Sequence, residues 1–381
     1  MTGGRASDRP AEPVSIGDGV PRERPGDPPA EPAASDTREP GDPPAAPPAA
    51  LDPTDLPLVG LAEIRAAAAI LRGVAVHTPL VPFGPPDART FLKAESLQPI
   101  GAFKIRGAYA AIAGLPAEAR ARGVITYSSG NHAQGVARAA RLLGIPAVVV
   151  MPSDAPPMKR ARVIADGAEV VTVGTASEER RRVAERLAEE RGLAIIPPYD
   201  DDRIIAGQGT CGLEIVEDLP DIAAVLVPVG GGGLASGVAA AVRALRPRAR
   251  VIGVEPELAA DARESLEAGR IVEWPAAMVS RTIADGTRTQ ALGRRTFAHL
   301  SALLDRIVTV TEDEIAAGVR LAAEESRLVA EPSGALAVAA LRFRASEADL
   351  ERPDGPVVAV VSGGNVDPDA YLRYLAAPIP E

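Results

Sequence analysis

From about residue 58 onward, the chain alternates short apolar runs with longer segments whose apolar residues recur every three or four positions. Short apolar runs predict buried strands, and the longer amphipathic segments predict helices. The predicted strands are 124–127, 146–151, 170–173, 224–228, 251–254 and 357–361. Among the predicted helices are 133–143, 156–166 and one that starts at 177. Strands that alternate with helices in this way predict an α/β fold with parallel sheets covered by helices.

Four predicted strands are followed directly by polar or glycine-rich segments. Ligands of open parallel sheets bind beyond the carboxyl ends of the strands, so these segments form the candidate site. The segments are Ser128-Ser129-Gly130-Asn131-His132, Gly230-Gly231-Gly232-Gly233-Leu234, Glu255-Pro256-Glu257-Leu258-Ala259-Ala260-Asp261 and Ser362-Gly363-Gly364-Asn365.

The segments 128–132 and 230–234 each precede a predicted helix and have two interpretations. Serine, glycine and asparagine are common capping residues, so 128–132 could simply begin a helix, or its hydroxyl and N–H groups could hold a carboxylate. The alternatives for 230–234 are a flexible surface loop and a phosphate site. The phosphate site is favoured, because four glycines are entropically costly and leave backbone N–H groups unobstructed. The loop matches neither the dinucleotide nor the nucleoside-triphosphate motif.

The other two segments carry weaker signals. Glu255 and Asp261 could ligate a hard cation together with the Ala259 carbonyl, but a solvated acidic loop is the alternative. The segment 362–365 is, by itself, equally compatible with a tight turn.

Lysine is scarce in this chain, with only Lys93, Lys104 and Lys159 among 41 basic residues. An arginine guanidinium cannot condense with an aldehyde, whereas a lysine amine can form a Schiff base. Lys104 lies in Gly101-Ala102-Phe103-Lys104-Ile105-Arg106-Gly107 and is the candidate for such chemistry. The alternative is an ordinary surface charge, as for the other two lysines.

Composition bounds the class of protein. The first 56 residues hold 13 of the 37 prolines and 11 acidic residues against five arginines, which predicts a disordered, acidic tail over 1–56. The chain has no basic block suited to nucleic acid and no long apolar run suited to a membrane. Cys211 is the only cysteine, which excludes an internal disulfide framework and favours the reducing cytoplasm.

As a set, the lysine segment, the segment 128–132 and the glycine loop resemble the fold-type II pyridoxal-phosphate (PLP) enzymes. The resemblance is to the serine/threonine dehydratase and serine racemase group and covers roughly residues 60–375. It implies two parallel-sheet α/β domains of the tryptophan synthase β type, with PLP in the cleft between them. The implied large domain comprises 57–122 and 200–381, and the implied small, inserted domain comprises 123–199. A homo-oligomer, either a dimer or a tetramer, is also implied.

The resemblance also implies roles for individual residues. Lys104 would bind PLP covalently and move the substrate α-proton. The other implied cofactor contacts are Phe103, Asn131 at the phenolic oxygen, Gly230, Gly231, Gly232, Gly233 and Leu234 at the phosphate, and Ser362 at the pyridine nitrogen. The implied substrate-carboxylate contacts are Ser128, Ser129, Gly130, Asn131 and His132. Ser129 would also handle protons on the face opposite Lys104. Glu255, Ala259 and Asp261 would bind Mg²⁺ or another divalent cation.

The implied activity is that of an L-threonine/L-serine ammonia-lyase, which removes water and releases a 2-oxo acid and ammonia. A serine at position 362, where other PLP enzymes place a carboxylate, leaves the pyridine nitrogen largely unprotonated and favours elimination over transamination. The alternatives are a serine racemase and a threo-3-hydroxyaspartate ammonia-lyase, whose substrate side-chain carboxylate could meet Arg288 or Arg180. A catalytically silent amino-acid-binding protein on the same fold is the alternative from a different class.

Overall fold

The computed structural model of the chain describes residues 52–85, 87, 89–128, 130–174, 177–351 and 353–380. Most of the predicted tail and the candidate catalytic residue Ser129 therefore lie outside the described residues.

The described residues contain ten strands in two sheets. The strands are β1 (Leu80–Phe83), β2 (Thr90–Lys93), β3 (Val124–Tyr127), β4 (Ala147–Pro152), β5 (Glu169–Val173), β6 (Ala194–Ile195), β7 (Ala224–Pro228), β8 (Arg250–Pro256), β9 (Arg306–Val310) and β10 (Val357–Val360). The six-stranded sheet has the order β1-β2-β10-β7-β8-β9, and the four-stranded sheet has the order β5-β4-β3-β6. All neighbouring strands are parallel except β1, which runs antiparallel to β2.

The helices cover the sheets. They are α1 (Leu61–Ile70), α2 (Lys104–Ala113), α3 (Ala117–Arg122), α4 (Asn131–Leu143), α5 (Pro157–Ala165), α6 (Ser177–Arg191), α7 (Asp202–Asp218), α8 (Gly233–Leu245), α9 (Asp261–Ala268), α10 (Ala276–Val279), α11 (Arg294–Leu303), α12 (Glu312–Ser326), α13 (Pro332–Phe343) and α14 (Pro368–Leu375). No described helix combines the length and the apolar character that crossing a membrane requires.

The apolar runs form strands because both faces of each sheet are buried. Successive side chains of a strand point to opposite faces. In β7, Ala224 and Leu226 join one apolar cluster, whereas Val225 and Val227 join the cluster on the other face. The same division occurs in the four-stranded sheet, where alternate residues of β4 enter two different clusters. A continuous apolar run is therefore what a doubly covered parallel strand requires.

The predicted parallel α/β arrangement is confirmed. Strands 124–127 and 224–228 have the predicted bounds, and the other predicted strands differ by one or two residues. The sequence prediction did not include β1, β2, β6 and β9. The four-stranded sheet lies within the segment assigned to the small domain, while the domain boundaries themselves stay a prediction.

Helices α7 and α8 pack with their backbones almost in contact, which fixes the position of the glycine loop that precedes α8. A Cβ added at Gly237 would lie 2.3 Å from the Ile205 carbonyl oxygen and 2.4 Å from the Gly209 nitrogen. A Cβ at Gly212 would lie 2.9 Å from the Val238 Cα. Only glycine allows so close a helix contact.

We expect Gly237→Ala to lower the free energy of unfolding by about 1–3 kcal/mol, because the added methyl group would force two helix backbones apart. This cost exceeds the gain of about 1 kcal/mol in helix propensity. Chemical denaturation measures the change. Ala244→Ser adds one heavy atom at an exposed position of the same helix and should cost about 0.5 kcal/mol or less. Equal stability of Gly237→Ala and the wild-type protein would contradict the close contact.

Candidate active site

A short backbone contact places the start of α2 beside the end of β10. Ala102 forms an isolated antiparallel bridge with Gly363. The Phe103 N–H donates to the Ser362 carbonyl at 3.0 Å, and the Gly364 N–H donates to the Gly101 carbonyl at 2.8 Å. Lys104, the first residue of α2, therefore lies next to the segment 362–364, although the two are far apart in the sequence.

The Lys104 side chain is half-buried. Its Nζ donates to the Pro198 carbonyl at 2.8 Å and lies 5.1 Å from the centre of the Phe103 ring. Burial disfavours the charged form and lowers the pKa of Lys104 to about 8. The amine is thus a better nucleophile and base at neutral pH than an exposed lysine would be.

The glycine loop lies against Tyr199, the residue after Pro198. A Cβ at Gly231 would lie 2.1 Å from a Tyr199 ring carbon, and Gly232 has a φ of +88°, so both positions require glycine. The first hydrogen bond of α8 is that of the Ser236 N–H, which donates to the Gly232 carbonyl at 2.8 Å. The N–H groups before it are those that a helix start leaves without intrahelical acceptors. Such a set of N–H groups fits a phosphate.

Asn131 and Asn365, the only two asparagines in the sequence, are hydrogen-bonded to each other. The Asn365 Nδ2 donates to the Asn131 Oδ1 at 2.8 Å and to the Ile100 carbonyl at 2.8 Å. The Asn131 Nδ2 donates to the Glu331 Oε1 at 2.5 Å. Both the oxygen and the nitrogen of the Asn131 side-chain amide, at the start of α4, are therefore held by hydrogen bonds.

Two glycines leave the room that these side chains occupy. A Cβ at Gly101, whose φ is +74°, would lie 2.4 Å from the Asn365 Oδ1. A Cβ at Gly363 would lie 2.2 Å from the Glu331 Oε1. Larger residues at either position would displace the side chains that hold Asn131.

The rest of the segment 128–132 begins α4. The Ser128 Oγ accepts the Gly130 N–H at 3.2 Å. His132 is buried, and its Nε2 lies 3.0 Å from the Ile196 carbonyl. Burial, together with the charge of Lys104, lowers the pKa of His132 to about 3, so this imidazole is neutral. Its predicted contact with a substrate carboxylate stays a prediction.

Ser362 is buried, and its Oγ donates to the Ser333 carbonyl at 3.4 Å. The Ser333 Oγ in turn accepts the Gly286 N–H at 2.8 Å. The Ser362 hydroxyl group does not ionise at neutral pH, and its contact with a pyridine nitrogen stays a prediction.

Glu255 and Asp261 are both fully buried, so the interpretation of a solvated acidic loop is wrong for these carboxylates. Glu255 accepts the N–H groups of Ala262 (3.1 Å) and Arg263 (2.8 Å), but neither Asp261 oxygen has a hydrogen-bond partner among the described residues. Burial and the neighbouring Asp261 raise the pKa of Glu255, and burial raises that of Asp261 to about 7. The described residues contain no group of three or more His, Cys, Asp or Glu side chains suited to a metal, so a cation here would need backbone oxygen or water ligands as well.

The surface-charge interpretation is also wrong for Lys93 and Lys159. Lys93 is buried and pairs with Glu214 at 2.7 Å. Lys159 is buried and pairs with Asp285 at 2.6 Å. The argument that a scarce lysine is retained for a specific purpose, which identified Lys104, therefore holds equally for Lys159.

Among the residues that the sequence prediction missed are Pro198, Tyr199 and Glu331, and it gave Asn365 no individual role. Their partners are distant in the sequence, which hides the contacts. Arg288, a candidate for a substrate side-chain carboxylate, donates its Nε to the Thr282 carbonyl at 2.9 Å. The roles of the individual site residues stay predictions.

We expect acylation of Lys104 in the apo-protein to have a pH midpoint near 8, because burial lowers its pKa to about 8. Lys159 should need a higher pH than a free lysine, since the neighbouring Asp285 and Glu331 help to raise its pKa. Trace labelling with acetic anhydride followed by peptide mass mapping gives the pH dependence of each lysine separately. A Lys104 midpoint at the ordinary lysine value of about 10.4 would contradict the effect of burial.

Comparison with known proteins places this geometry in a family. Residues 72–363 match the family described as "Pyridoxal-phosphate dependent enzyme". An L-threonine ammonia-lyase of Geobacter sulfurreducens is 46% identical over 277 residues, which cover 73% of this chain and 67% of that protein. An L-threo-3-hydroxyaspartate ammonia-lyase of Saccharomyces cerevisiae is 42% identical over 289 residues, covering 76% and 86% respectively. The structure of maize serine racemase matches with a TM-score of 0.79 and 36% identity, covering 84% of this chain and 98% of that chain.

These similarities confirm the predicted fold type and cofactor, and the relatives' names agree with the predicted lyase chemistry. The described residues fit the cofactor: a lysine amine of lowered pKa, a glycine loop at a helix start and a buried serine hydroxyl occupy one site. The chain belongs to the family of pyridoxal-phosphate-dependent enzymes, with the α/β architecture of fold type II.

Proposed function

We propose that the protein is a PLP-dependent ammonia-lyase that converts L-threonine or L-serine to a 2-oxo acid and ammonia. The observation that carries the proposal is the Lys104 amine, which is half-buried, held by the Pro198 carbonyl and lowered in pKa to about 8. The names of the relatives support the reaction class.

Lys104 would act first as the covalent anchor of the cofactor and then as a general base. With a pKa of about 8, roughly a tenth of the amine is unprotonated at pH 7, compared with less than a thousandth for an ordinary lysine. The Pro198 carbonyl accepts an N–H of this amine and so orients it. A base of this strength, already positioned, suits removal of an α-proton.

The remaining residues would hold PLP by its two ends. The N–H groups of 230–234 would bind the phosphate at the start of α8, and Asn131 and Ser362 would contact the ring. When bound, PLP withdraws electrons from the substrate α-carbon and so acidifies its hydrogen.

Ser362 supports elimination as the outcome. A carboxylate at this place would hold a proton on the ring nitrogen, whereas a serine hydroxyl does not. The Ser362 hydroxyl is buried and within reach of the Ser333 carbonyl, at 3.4 Å. Weaker electron withdrawal by the ring favours prompt loss of a β-substituent from the substrate, and threonine and serine both carry a β-hydroxyl group.

We expect Lys104→Ala to lower turnover of L-threonine at least about a thousandfold, since the covalent anchor and the base are lost together and general base catalysis alone contributes about 10²–10⁴-fold. A coupled assay for 2-oxobutanoate measures turnover. Borohydride reduction followed by peptide mapping should place a pyridoxyl adduct on Lys104 in the wild-type protein only. Arg373→Ala, at an exposed position on α14, is the matched control and should keep both properties. Full turnover by Lys104→Ala would remove Lys104 from this role.

A substrate panel separates the alternative activities. D-serine formed from L-serine would identify a serine racemase, and faster turnover of L-threo-3-hydroxyaspartate would identify a lyase for that substrate. A borohydride-trapped adduct without product from any of the three amino acids would identify a silent binding protein.

We further propose that Glu255, the Ala259 carbonyl and Asp261 bind Mg²⁺ or another divalent cation. The support is the pair of buried carboxylates, of which Asp261 has two oxygens without a hydrogen-bond partner in the described part of the chain. Oxygen ligands of this kind suit hard cations.

The pH dependence of stability tests whether the Asp261 carboxyl group of this site is buried without a partner. Burial raises the pKa of Asp261 to about 7, well above its unfolded value of about 3.9. Between these two values the folded state binds more protons, so the stability contributed by neutral Asp261 is present below about pH 4 and is lost as the pH rises towards 7. In the presence of chelator, the Tm difference between the wild-type protein and Asp261→Asn should therefore move against the wild-type protein over this range.

Adding Mg²⁺ at pH 8 should raise the Tm of the wild-type protein, because the cation binds the ionised carboxylates, and should leave that of Asp261→Asn unchanged. Glu267→Gln, an exposed change on the same helix α9, serves as the control and should respond to Mg²⁺ like the wild-type protein. Equal responses of the wild-type protein and Asp261→Asn would exclude this cation site.

The cytoplasmic location and the homo-oligomeric state stay predictions that accompany this proposal.

A further inference from the structure

The two asparagines belong to a chain of polar contacts whose ends are both held by α5. At one end, Arg162 NH1 donates to the Asn365 Oδ1. At the other end, the Lys159 Nζ lies 3.9 Å from the Glu331 Oε2. Lys159 and Arg162 are three residues apart on α5 and so project from the same side of that helix.

The donor direction along this chain is forced from the Arg162 end. A guanidinium group only donates, so the amide oxygen of Asn365 faces Arg162 and its Nδ2 donates onward to Asn131. The Asn131 oxygen is thereby used as an acceptor, and its Nδ2 faces the Glu331 Oε1. The Nδ2 of Asn131 has two hydrogens, and Glu331 accepts one of them.

The chain of polar contacts ends at the carboxylate of Glu331, whose ionisation depends on Lys159. Burial raises the pKa of Glu331 to about 7, and Asp285 adds to this rise, while Lys159, the hydrogen bond from Asn131 and Arg162 oppose it. The Glu331 Oε2 has no hydrogen-bond partner among the described residues, and Lys159 pairs with it as an ion pair at 3.9 Å. Lys159 itself is held in place by Asp285 at 2.6 Å.

We propose that Lys159 and Arg162 are positioning residues that fix the amide of Asn131 in one orientation, with its second Nδ2 hydrogen directed to the bound cofactor. Lys159 keeps Glu331 ionised, so that its oxygens only accept and cannot donate to Asn131, and Arg162 keeps Asn365 a donor towards Asn131. The inference rests on the proposed function only in taking PLP as the ligand that receives this hydrogen.

The sequence allows a direct experiment, because it contains only two asparagines. When asparagine is labelled with ¹⁵N in its side-chain amide, the NMR spectrum shows only the NH₂ groups of Asn131 and Asn365. In the apo-protein, each should give a pair of separated proton resonances, as expected for amides fixed by hydrogen bonds. Lys159→Met should shift the Asn131 pair more than the Asn365 pair, whereas Arg162→Met should shift both. Arg160→Met, at an exposed position on the same helix, is the matched control and should shift neither.

A pH titration adds a second measurement. In the wild-type apo-protein, the Asn131 amide should shift with a midpoint near 7, the pKa to which burial raises Glu331. In Lys159→Met this midpoint should move to higher pH, because the cation that favours the ionised carboxylate is absent. Lys159→Arg should restore the wild-type midpoint in part.

The affinity for PLP completes the test. Lys159→Met and Arg162→Met should each weaken PLP binding to the apo-protein by roughly tenfold, the effect of one misplaced polar contact. If both Asn pairs keep their wild-type resonances and pH dependence in the two variants, the proposal is wrong. If Lys159→Met does not fold, Arg162→Met decides the matter, since Arg162 is exposed. Shifted amides in a protein that turns over neither L-threonine nor L-serine would overturn the proposed function and leave this inference standing.

Discussion

The antiparallel contact between residues 101–103 and 362–364 is the constraint on which the site depends. It joins the start of α2 to the end of β10 through the two backbone hydrogen bonds of the Ala102–Gly363 bridge. Lys104 and Ser362 are brought together by it, and Asn365 follows close enough to reach Asn131 on α4. Because the contact consists of backbone groups, it ties the position of Lys104 to the end of a strand of the sheet.

Buried charge is the second organising feature. Lys93, Glu95 and Arg106 are buried together in one ion-pair network, and Lys159 and Glu331 lie in another. Lys104 differs from these residues because its amine is bound by a neutral carbonyl rather than by a carboxylate. Burial raises the pKa of an acid such as Glu331 and lowers that of Lys104, because in both cases it disfavours the charged form.

The sequence could predict what is local and periodic. Strands such as 224–228 are continuous apolar runs, and the scarcity of lysine made Lys104 conspicuous. Strand β6 has only two residues, and β1 contains a proline, so neither produces an apolar run that periodicity detects. The contacts of Glu331 with Asn131 and Lys159 join residues more than 150 positions apart, and no local pattern reports such pairs. The same argument from lysine scarcity would have found Lys159, had it been applied to all three lysines.

The absence of exposed lysines from the described surface has a chemical consequence for the binding of the cofactor. Two of its three lysines are buried in ion pairs, and the third is the half-buried Lys104, so the exposed basic groups of the described chain are arginines and histidine. Free pyridoxal phosphate is a reactive aldehyde, and guanidinium groups do not condense with it. The described residues therefore offer an excess of this aldehyde no exposed lysine amine that would compete with Lys104.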